Sequence, residues 1–182
     1  MSNDYLAQTV INSFTRAFRA QKHLAESAIR QVPDGKMREA LDANTNCLAV
    51  IMKHVGGNLR SRFNGFLTED GEKPWRNRDD EFVDTFDSRK QMLTAWEEGW
   101  TELFEVLTTL TPADLERSVT IRGESITVPD ALARSLAHTG YHVGQIVQTA
   151  RVLCKDEWEV ITIPKGGSEA FNLKMGFDPR RV

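Results

Sequence analysis

Apolar residues recur every three or four positions along four long stretches of the chain, and this spacing predicts four amphipathic helices. The predicted helices run from Asp4 to about Val32, from about Asn44 to Phe66, from Ser88 to about Leu110, and from Pro129 to Leu153. Pro33-Asp34-Gly35 favours a turn after the first helix, and proline suits the first turn of the last one. The fold class predicted by this pattern is all-α.

Each predicted helix has one apolar side. On the first helix it consists of Leu6, Val10, Phe14, Ala17, Leu24 and Ala28. On the second it consists of Cys47, Ile51, Val55, Leu59, Phe63 and Phe66, and on the third of Met92, Ala95, Trp96, Leu103, Val106 and Leu107. The fourth helix alternates spacings of four and three, which is typical of a bundle helix, at Leu132, Leu136, Thr139, Val143, Ile146, Ala150 and Leu153.

The segments between these helices are of different kinds. Residues 67–87 form a polar connection of about twenty residues, which is long for a link between helices and indicates a crossing of the domain or a function. Thr111-Pro112-Ala113-Asp114 ends the third helix and is suited to cap one further short turn. Ser118–Val128 alternates β-branched residues around Arg122-Gly123-Glu124, which predicts a small hairpin that we expect to be an accessory.

Size and composition limit the classes of protein to consider. A chain of 182 residues favours one domain, here residues 1–154 as the bundle with a metal site and residues 155–182 as a tail packed on it or extending from it. We assign no element to the tail. The 23 Lys+Arg and 26 Asp+Glu give a net charge of −3 with no basic tract, so we expect no nucleic-acid partner.

We likewise expect no membrane span, since no apolar run approaches the roughly 18 residues that a spanning helix requires. The N-terminal residues do not resemble a secretory signal, and the two cysteines, Cys47 and Cys154, are too few for a disulfide framework. A cytoplasmic protein with reduced thiols is the expectation that follows.

Three histidines fall on inward sides of the predicted helices. His138 and His142 are four residues apart, so they project from one helix face on successive turns. They lie along one edge of the fourth helix's apolar seam, in a row with Ala131, Ser135, Gln145 and Thr149. His54 lies in the apolar stripe of the second helix, within about 60° of Ile51 and Asn58 at 100° per residue.

Two interpretations of these histidines remain open. Three imidazoles with one vacant position are the ligand set of many catalytic zinc sites, and they also suit nickel, iron or copper. Alternatively, His54 is a core histidine whose ring nitrogens are hydrogen-bonded to a carbonyl or to Asn58. His23 has no partner at ligand spacing, and we place it at the surface.

The sequence around these histidines resembles the DinB/YfiT-like superfamily of metal-dependent enzymes. The resemblance rests on Lys53-His54 and on His138-Thr-Gly-Tyr-His142-Val-Gly-Gln145, and it covers residues Asp4 to Leu153. It implies that His54, His138 and His142 hold one divalent metal, for which we favour zinc or nickel over iron or manganese. Asn58, Tyr141 and Gln145 are candidate pocket residues beside these ligands.

The resemblance also implies a four-helix bundle of order up-down-down-up, in which the second and third helices run parallel. The long connection after Phe66 agrees with this, because parallel neighbours require a crossover. Characterised members include thiol S-transferases that use low-molecular-weight thiols and related maleylpyruvate isomerases. We therefore expect a thiol-dependent transferase of small molecules, with a metal-dependent hydrolase and a non-enzymatic metal-binding protein as alternatives, and we expect a homodimer.

The charged residues of the long connection and its approach have two interpretations. The cations Arg60, Arg62, Lys73, Arg76 and Arg78 are candidates for binding an anionic substrate, since guanidinium pairs with carboxylate bidentately. Otherwise they belong to a solvated loop and are neutralised by Glu69, Asp70, Glu72, Asp79, Asp80 and Glu81. Lys73-Pro74-Trp75 could form a lid, and no general acid or base stands out.

Overall fold

The structure is a computed structural model that describes residues 3–177, and helices account for most of them. The helices are α1 (Asn3–Ile29), α2 (Leu48–Phe63), α3 (Arg89–Thr109), α4 (Val128–Cys154) and α5 (Ser168–Lys174), and the strands are β1 (Ser118–Ile121) and β2 (Glu124–Thr127). The sheet contains only these two short antiparallel strands. The predicted all-α class is confirmed in that the described chain is mainly helical.

Pairs of contacts between residues show how the long helices lie against each other. Between α2 and α3 the contacts advance together, from Gly56 against Ala95 to Asn64 bonded to Glu102, so the two helices run in the same direction. Helices α1 and α4 also run in the same direction, since Gln21 contacts Gly140 and the Gln31 carbonyl accepts from Cys154 Sγ. Helix α1 is antiparallel to α3, because Lys22 pairs with Glu97 whereas Ile29 accepts from Arg89.

The α2–α3 contact depends on two glycines. A Cβ placed on Gly99 would collide with the carbonyl oxygen of Gly56, and one placed on Gly56 would lie 2.8 Å from the Ala95 carbonyl oxygen. Backbone atoms cannot yield as a flexible side chain can, so both positions require glycine for this close approach.

Aromatic side chains fill the core where α1, α2 and α3 meet. Phe18 makes edge contacts with Phe63 and Trp100 at centroid distances of 6.5 Å, and Trp96 contacts Trp100 at 5.4 Å. Phe18, Trp96 and Trp100 are fully buried. Such edge-to-face pairs stabilise a core beyond the burial of their area.

Helix boundaries differ from the predictions at three ends. Helix α2 begins at Leu48 instead of Asn44, because Asp42, Asn44 and Thr45 form a turn closed by their own side chains. It ends at Phe63 instead of Phe66, where Asn64 is extended and Gly65 adopts a φ of 61°. Helix α1 ends at Ile29, ahead of a tightened turn that precedes Pro33.

The predicted turn after α3 and the predicted hairpin are both confirmed. Thr111 and Asp114 form a capping box on a short 3-10 helix, Pro112–Glu116. Strands β1 and β2 are joined by Arg122 and Gly123, whose φ values of 56° and 76° are both in the left-handed region that a two-residue hairpin turn requires.

The hairpin is not an accessory, and that expectation is wrong. Asp70 of the long connection accepts backbone hydrogen bonds from Arg122 at 2.8 Å, from Gly123 at 2.8 Å and from Glu72 at 2.7 Å. The Gly71 amide donates to the Thr120 carbonyl at 2.8 Å. The connection is thereby fastened to the hairpin, and both lie over the polar side of α2 and α4.

The tail begins against the helices, and most of its residues from 162 to 177 are exposed. Trp158 and Ile161 pack on the core, and the Glu159 backbone exchanges hydrogen bonds with the Gln31 side chain. Helix α5 was not foreseen in the sequence, and it buries none of its residues. Within residues 3–177 the chain forms no helix with the length and apolar character that crossing a membrane demands.

Candidate metal centre

His54 of α2 and His138 and His142 of α4 meet between the two helices. The Nε2 atom of His138 lies 3.2 Å from Nε2 of His54 and 3.2 Å from Nε2 of His142. The three potential ligand atoms all lie within 4.8 Å of one another. Bond lengths of about 2.05 Å at a tetrahedral zinc would separate neighbouring nitrogens by about 3.3 Å. The two 3.2 Å separations match this value, and the three histidines together have the arrangement of a candidate metal-binding group.

The hydrogen-bond partners of the other ring nitrogens support this fit. His54 Nδ1 faces the Glu81 carboxylate at 2.9 Å, and His142 Nδ1 faces the Gln145 amide oxygen at 2.8 Å. Both partners are acceptors, so each Nδ1 carries the proton and each neutral ring presents the Nε2 lone pair. His138 Nε2 bears one proton at most when neutral, so at least one of the short Nε2 contacts joins two lone pairs. A bound cation would relieve this repulsion.

Burial also keeps the α4 histidines neutral. It lowers the pKa of His138 to about 4, with further contributions from the charges that His142 and His54 would carry. Burial lowers the pKa of His142 as well, against an opposing hydrogen bond to Gln145. Neutral imidazole is the form that binds metals, so these rings are in the ligating state at neutral pH.

Glu81 connects His54 to a buried arginine. The Arg76 guanidinium donates to Glu81 Oε1 at 2.7 Å and to Oε2 at 2.8 Å, and both side chains are almost entirely buried. Burial opposes the charge on Glu81, but the hydrogen bonds from Arg76 and His54 outweigh it and lower the pKa of Glu81. Gly57 leaves space for this carboxylate, since a Cβ there would collide with Glu81.

Lys53, the residue before His54, holds the same segment of the connection. Its ammonium group donates to the Asp80 carbonyl at 2.7 Å, to the Asp80 carboxylate at 2.8 Å, to the Val83 carbonyl at 3.0 Å and to Thr85 Oγ1 at 2.7 Å. Phe82, between these acceptors, stacks on the His54 ring with centroids 4.9 Å apart. The orientation of His54 is thus determined on several sides.

A cavity of about 310 Å³ adjoins the histidines. Its walls come from α2, α4, the hairpin and the long connection, namely from His54, Asn58, Arg62, Arg78, Phe82, Ile121, Arg122, Ala131, Arg134, Ser135, His138 and His142. Four of these residues are arginines, and within the described part of the chain none of the lining residues is a carboxylate. The cavity is therefore electropositive and large enough for a small molecule.

The structure separates the predicted pocket residues into two groups. Asn58, Arg62 and Arg78 line the cavity. Gln145 lies behind His142, and the exposed Tyr141 accepts from Gln145 at 3.2 Å.

The remaining predicted cations are engaged elsewhere. Arg60 lies over the Trp75 ring at 5.1 Å, the buried Lys73 pairs with Glu69 at 2.7 Å, and Arg76 holds Glu81. His23 is exposed, as expected. His54 is not hydrogen-bonded to Asn58, because its Nδ1 faces Glu81 and its Nε2 faces His138.

Five residues of the site were not identified from the sequence: Glu81, Phe82, Ile121, Arg122 and Arg134. Arg134 carries a usable signal, because it precedes His138 by four residues and so lies one turn away on the same face. The sequence places Glu81 among six acidic residues that neutralise the loop cations in one of the two interpretations, and only the fold shows that it alone of these six reaches a histidine.

The model of a family described as "Protein of unknown function (DUF1572)" matches residues 2–167, which is most of the chain. No curated protein and no solved structure matches the chain significantly.

Proposed function

Since the chain belongs to the DUF1572 family, which is described as of unknown function, we propose its function from the site itself. We infer that it is a metal-dependent transferase that acts on small molecules with a low-molecular-weight thiol. The observation that carries this proposal is the convergence of three imidazole Nε2 atoms beside an open, positively charged cavity. A divalent metal held by His54, His138 and His142 would act as a Lewis acid and lower the pKa of a thiol.

The lining of the cavity favours thiol transfer over hydrolysis. Activation of water by a metal in hydrolases commonly uses a nearby carboxylate as general base, as in zinc peptidases. The described cavity wall contains no carboxylate, and Glu81 is occupied by Arg76 and His54. In a transfer, the thiol sulfur bonds to an electrophilic carbon, the thiol proton leaves to solvent, and the leaving group departs with its electron pair.

The residues of the chain would have separate tasks in this reaction. Glu81 and Gln145 orient His54 and His142 through their Nδ1–H groups, which keeps the Nε2 atoms directed at one point. Phe82 and Ile121 supply apolar contacts, and the arginines attract a substrate with negative charge. Three nitrogen donors favour zinc or nickel over iron or manganese in our proposal.

We also propose that the fold is a DinB/YfiT-like four-helix bundle of order up-down-down-up, made by residues 1–154. The parallel contacts of α2 with α3 and of α1 with α4 support this order. The long connection of residues 67–87 would then be the crossover between α2 and α3. The homodimer remains a prediction that light scattering of the purified protein tests.

Elemental analysis tests the metal site. The parent protein, purified without chelator or affinity tag, is expected to contain one equivalent of zinc or nickel. His138→Ala and His142→Ala should contain essentially none, whereas the exposed His23→Ala should match the parent. Equal metal content in all four proteins would refute the assignment.

Turnover then distinguishes the reactions. The metal-loaded protein should consume a low-molecular-weight thiol together with an activated aryl halide, and His138→Ala should not. Hydrolysis of an activated ester without thiol, lost in the same variant, would instead support the hydrolase. A loaded site that turns over neither probe would support a non-enzymatic protein.

A further inference from the structure

We propose that the cavity beside the histidines binds the oxyanion of a small molecule, a carboxylate or a phosphate, between Arg78 and Arg134. This inference rests on the proposed function, because it names the chemical class of substrate for the same cavity. The anion group would occupy the mouth of the cavity, and the rest of the molecule would extend towards the histidines.

The first observation is that these two arginines lack partners. Among residues 3–177, neither the Arg78 guanidinium nor the Arg134 guanidinium forms a hydrogen bond or an ion pair. Arg78 has Asp79 and Asp80 beside it in the sequence, yet Asp80 pairs with Lys53. The nearest acids in sequence therefore leave Arg78 free to meet a ligand.

The second observation is that the other two arginines of the cavity share one acid. Arg62 Nη2 lies 3.1 Å and Arg122 Nε 2.9 Å from the same oxygen of Glu72. Hydrogen bonds from Arg122 and Arg62 lower the pKa of Glu72 despite its burial, so it is charged. One carboxylate neutralises one of the two charges, and the wall stays positive before any metal is added.

The third observation is the geometry of α4. Arg134, His138 and His142 follow one another at intervals of four residues, so they form a single row along the helix face. A ligand bound by Arg134 is therefore one helical turn from His138, a rise of about 6 Å. A molecule of that length can contact the arginine at one end and the histidine cluster at the other.

The volume of the cavity limits the size of the molecule to which the oxyanion belongs. Its volume of about 310 Å³ lies at the lower end of small-molecule pockets. The backbone of a nucleic acid or an extended peptide would need a groove that runs along the surface, whereas the walls of this cavity come from two helices, the hairpin and the connection. The ligand class is a small organic anion.

Calorimetric titration tests this site with inorganic phosphate, succinate and the neutral analogue succinamide as probes. Each titration is made with chelator-treated and with zinc-loaded protein. The parent should bind phosphate or succinate in both states and should not bind succinamide. The stronger of the two anions identifies the oxyanion.

Variants assign the binding to the two arginines. Arg78→Gln and Arg134→Gln should each weaken anion affinity about tenfold or more, as expected for loss of a charge-assisted hydrogen bond. Arg151→Gln is the matched control, since it removes the same charge from an exposed position near the other end of α4. It should bind as the parent does.

Three results would overturn the proposal. The first is that the parent binds neither anion, whether chelator-treated or zinc-loaded. The second is that Arg151→Gln weakens anion binding as much as the two test variants do. The third is that zinc-loaded protein binds the anion equally well with and without Arg78→Gln or Arg134→Gln. A failure of the proposed function would look different. Metal and turnover would be absent, yet chelator-treated protein would still bind the anion through its arginines.

Discussion

Helix α2 has two neighbours of opposite character. Towards α3 it presents Gly56, and the backbones approach so closely that a single methyl group would not fit. Towards α4 and the long connection it presents His54 and Asn58, which border a cavity with polar walls. Residues two positions apart on one helix thus serve a tightly packed contact and an open site.

This difference explains how the site can be both open and well ordered. The α3 side positions the α2 backbone through close packing that leaves little room for adjustment. The cavity side then orients individual side chains by hydrogen bonds, with Glu81 and Gln145 each fixing one histidine. We expect stability and metal binding to be separable by mutations on the two sides.

The largest expected effect is on the packed side. Trp100→Ala should lower the free energy of unfolding by about 3–5 kcal/mol, because it removes a fully buried aromatic side chain from the α1–α2–α3 core. Chemical denaturation followed by circular dichroism measures this. His138→Ala should abolish metal binding with a much smaller loss of stability in the metal-free protein.

Trp75→Ala is the matched control for the tryptophan. Trp75 is 51% exposed and its ring contacts Arg60, so its removal should cost about 1 kcal/mol or less. If Trp100→Ala and His138→Ala destabilised the metal-free protein equally, the proposed division between the two sides of α2 would fail.

The next largest effect is expected at the hydrogen bond between the Glu81 carboxylate and the metal ligand His54. Glu81→Gln should lower zinc affinity about 10–100-fold, because it weakens the partner that orients His54. A competition titration with a chromophoric chelator measures the affinity. Glu98→Gln, which removes the same charge from α3, should bind zinc as the parent does. If the Glu81→Gln variant were less stable but bound zinc normally, the role of Glu81 would be limited to its ion pair with Arg76.

The smallest effect concerns the attachment of the connection to the hairpin. Backbone hydrogen bonds from Glu72, Gly123 and Arg122 lower the pKa of Asp70 below its ordinary 3.8. A depressed folded-state pKa stabilises the fold above the unfolded pKa, and this contribution disappears as pH falls through the folded value. Asp70→Asn should therefore melt below the parent at pH 7, with a difference that shrinks below about pH 3.8. A difference that is independent of pH would exclude the charge as its cause.

Much of the fold follows from apolar spacing alone. The stripe predicted for α2 is buried in full, from Cys47 to Phe66, because both ends of that stripe pack on other elements. The side predicted for α1 is less accurate, since Leu6 is 64% exposed while Ile11 and Phe18 are buried. Helix α1 contains five alanines spread along its length, so spacing alone could not determine its rotation. Trp100 was likewise omitted from the predicted face of α3.

The site was predictable only as far as helical periodicity reaches. His54, His138 and His142 each belong to a regular helix, where position in sequence determines direction in space. Glu81 and Arg122 lie in the connection and the hairpin, and their directions depend on contacts such as Asp70 with the hairpin turn. No local pattern encodes contacts between segments so far apart in the chain.

The hydrogen bonds from Lys53 to residues 80–85 limit where the long connection can tolerate an insertion. Lys53 and His54 are consecutive, and they hold Asp80 and Glu81, which are also consecutive. One inserted residue between Glu81 and Val83 would displace the chain by about 3.5 Å, so the ammonium group would lose its acceptors on Val83 and Thr85 while the imidazole kept its own. An insertion at the exposed Pro74-Trp75 disturbs neither bond. Variation in loop length is therefore tolerable before the segment and harmful within it.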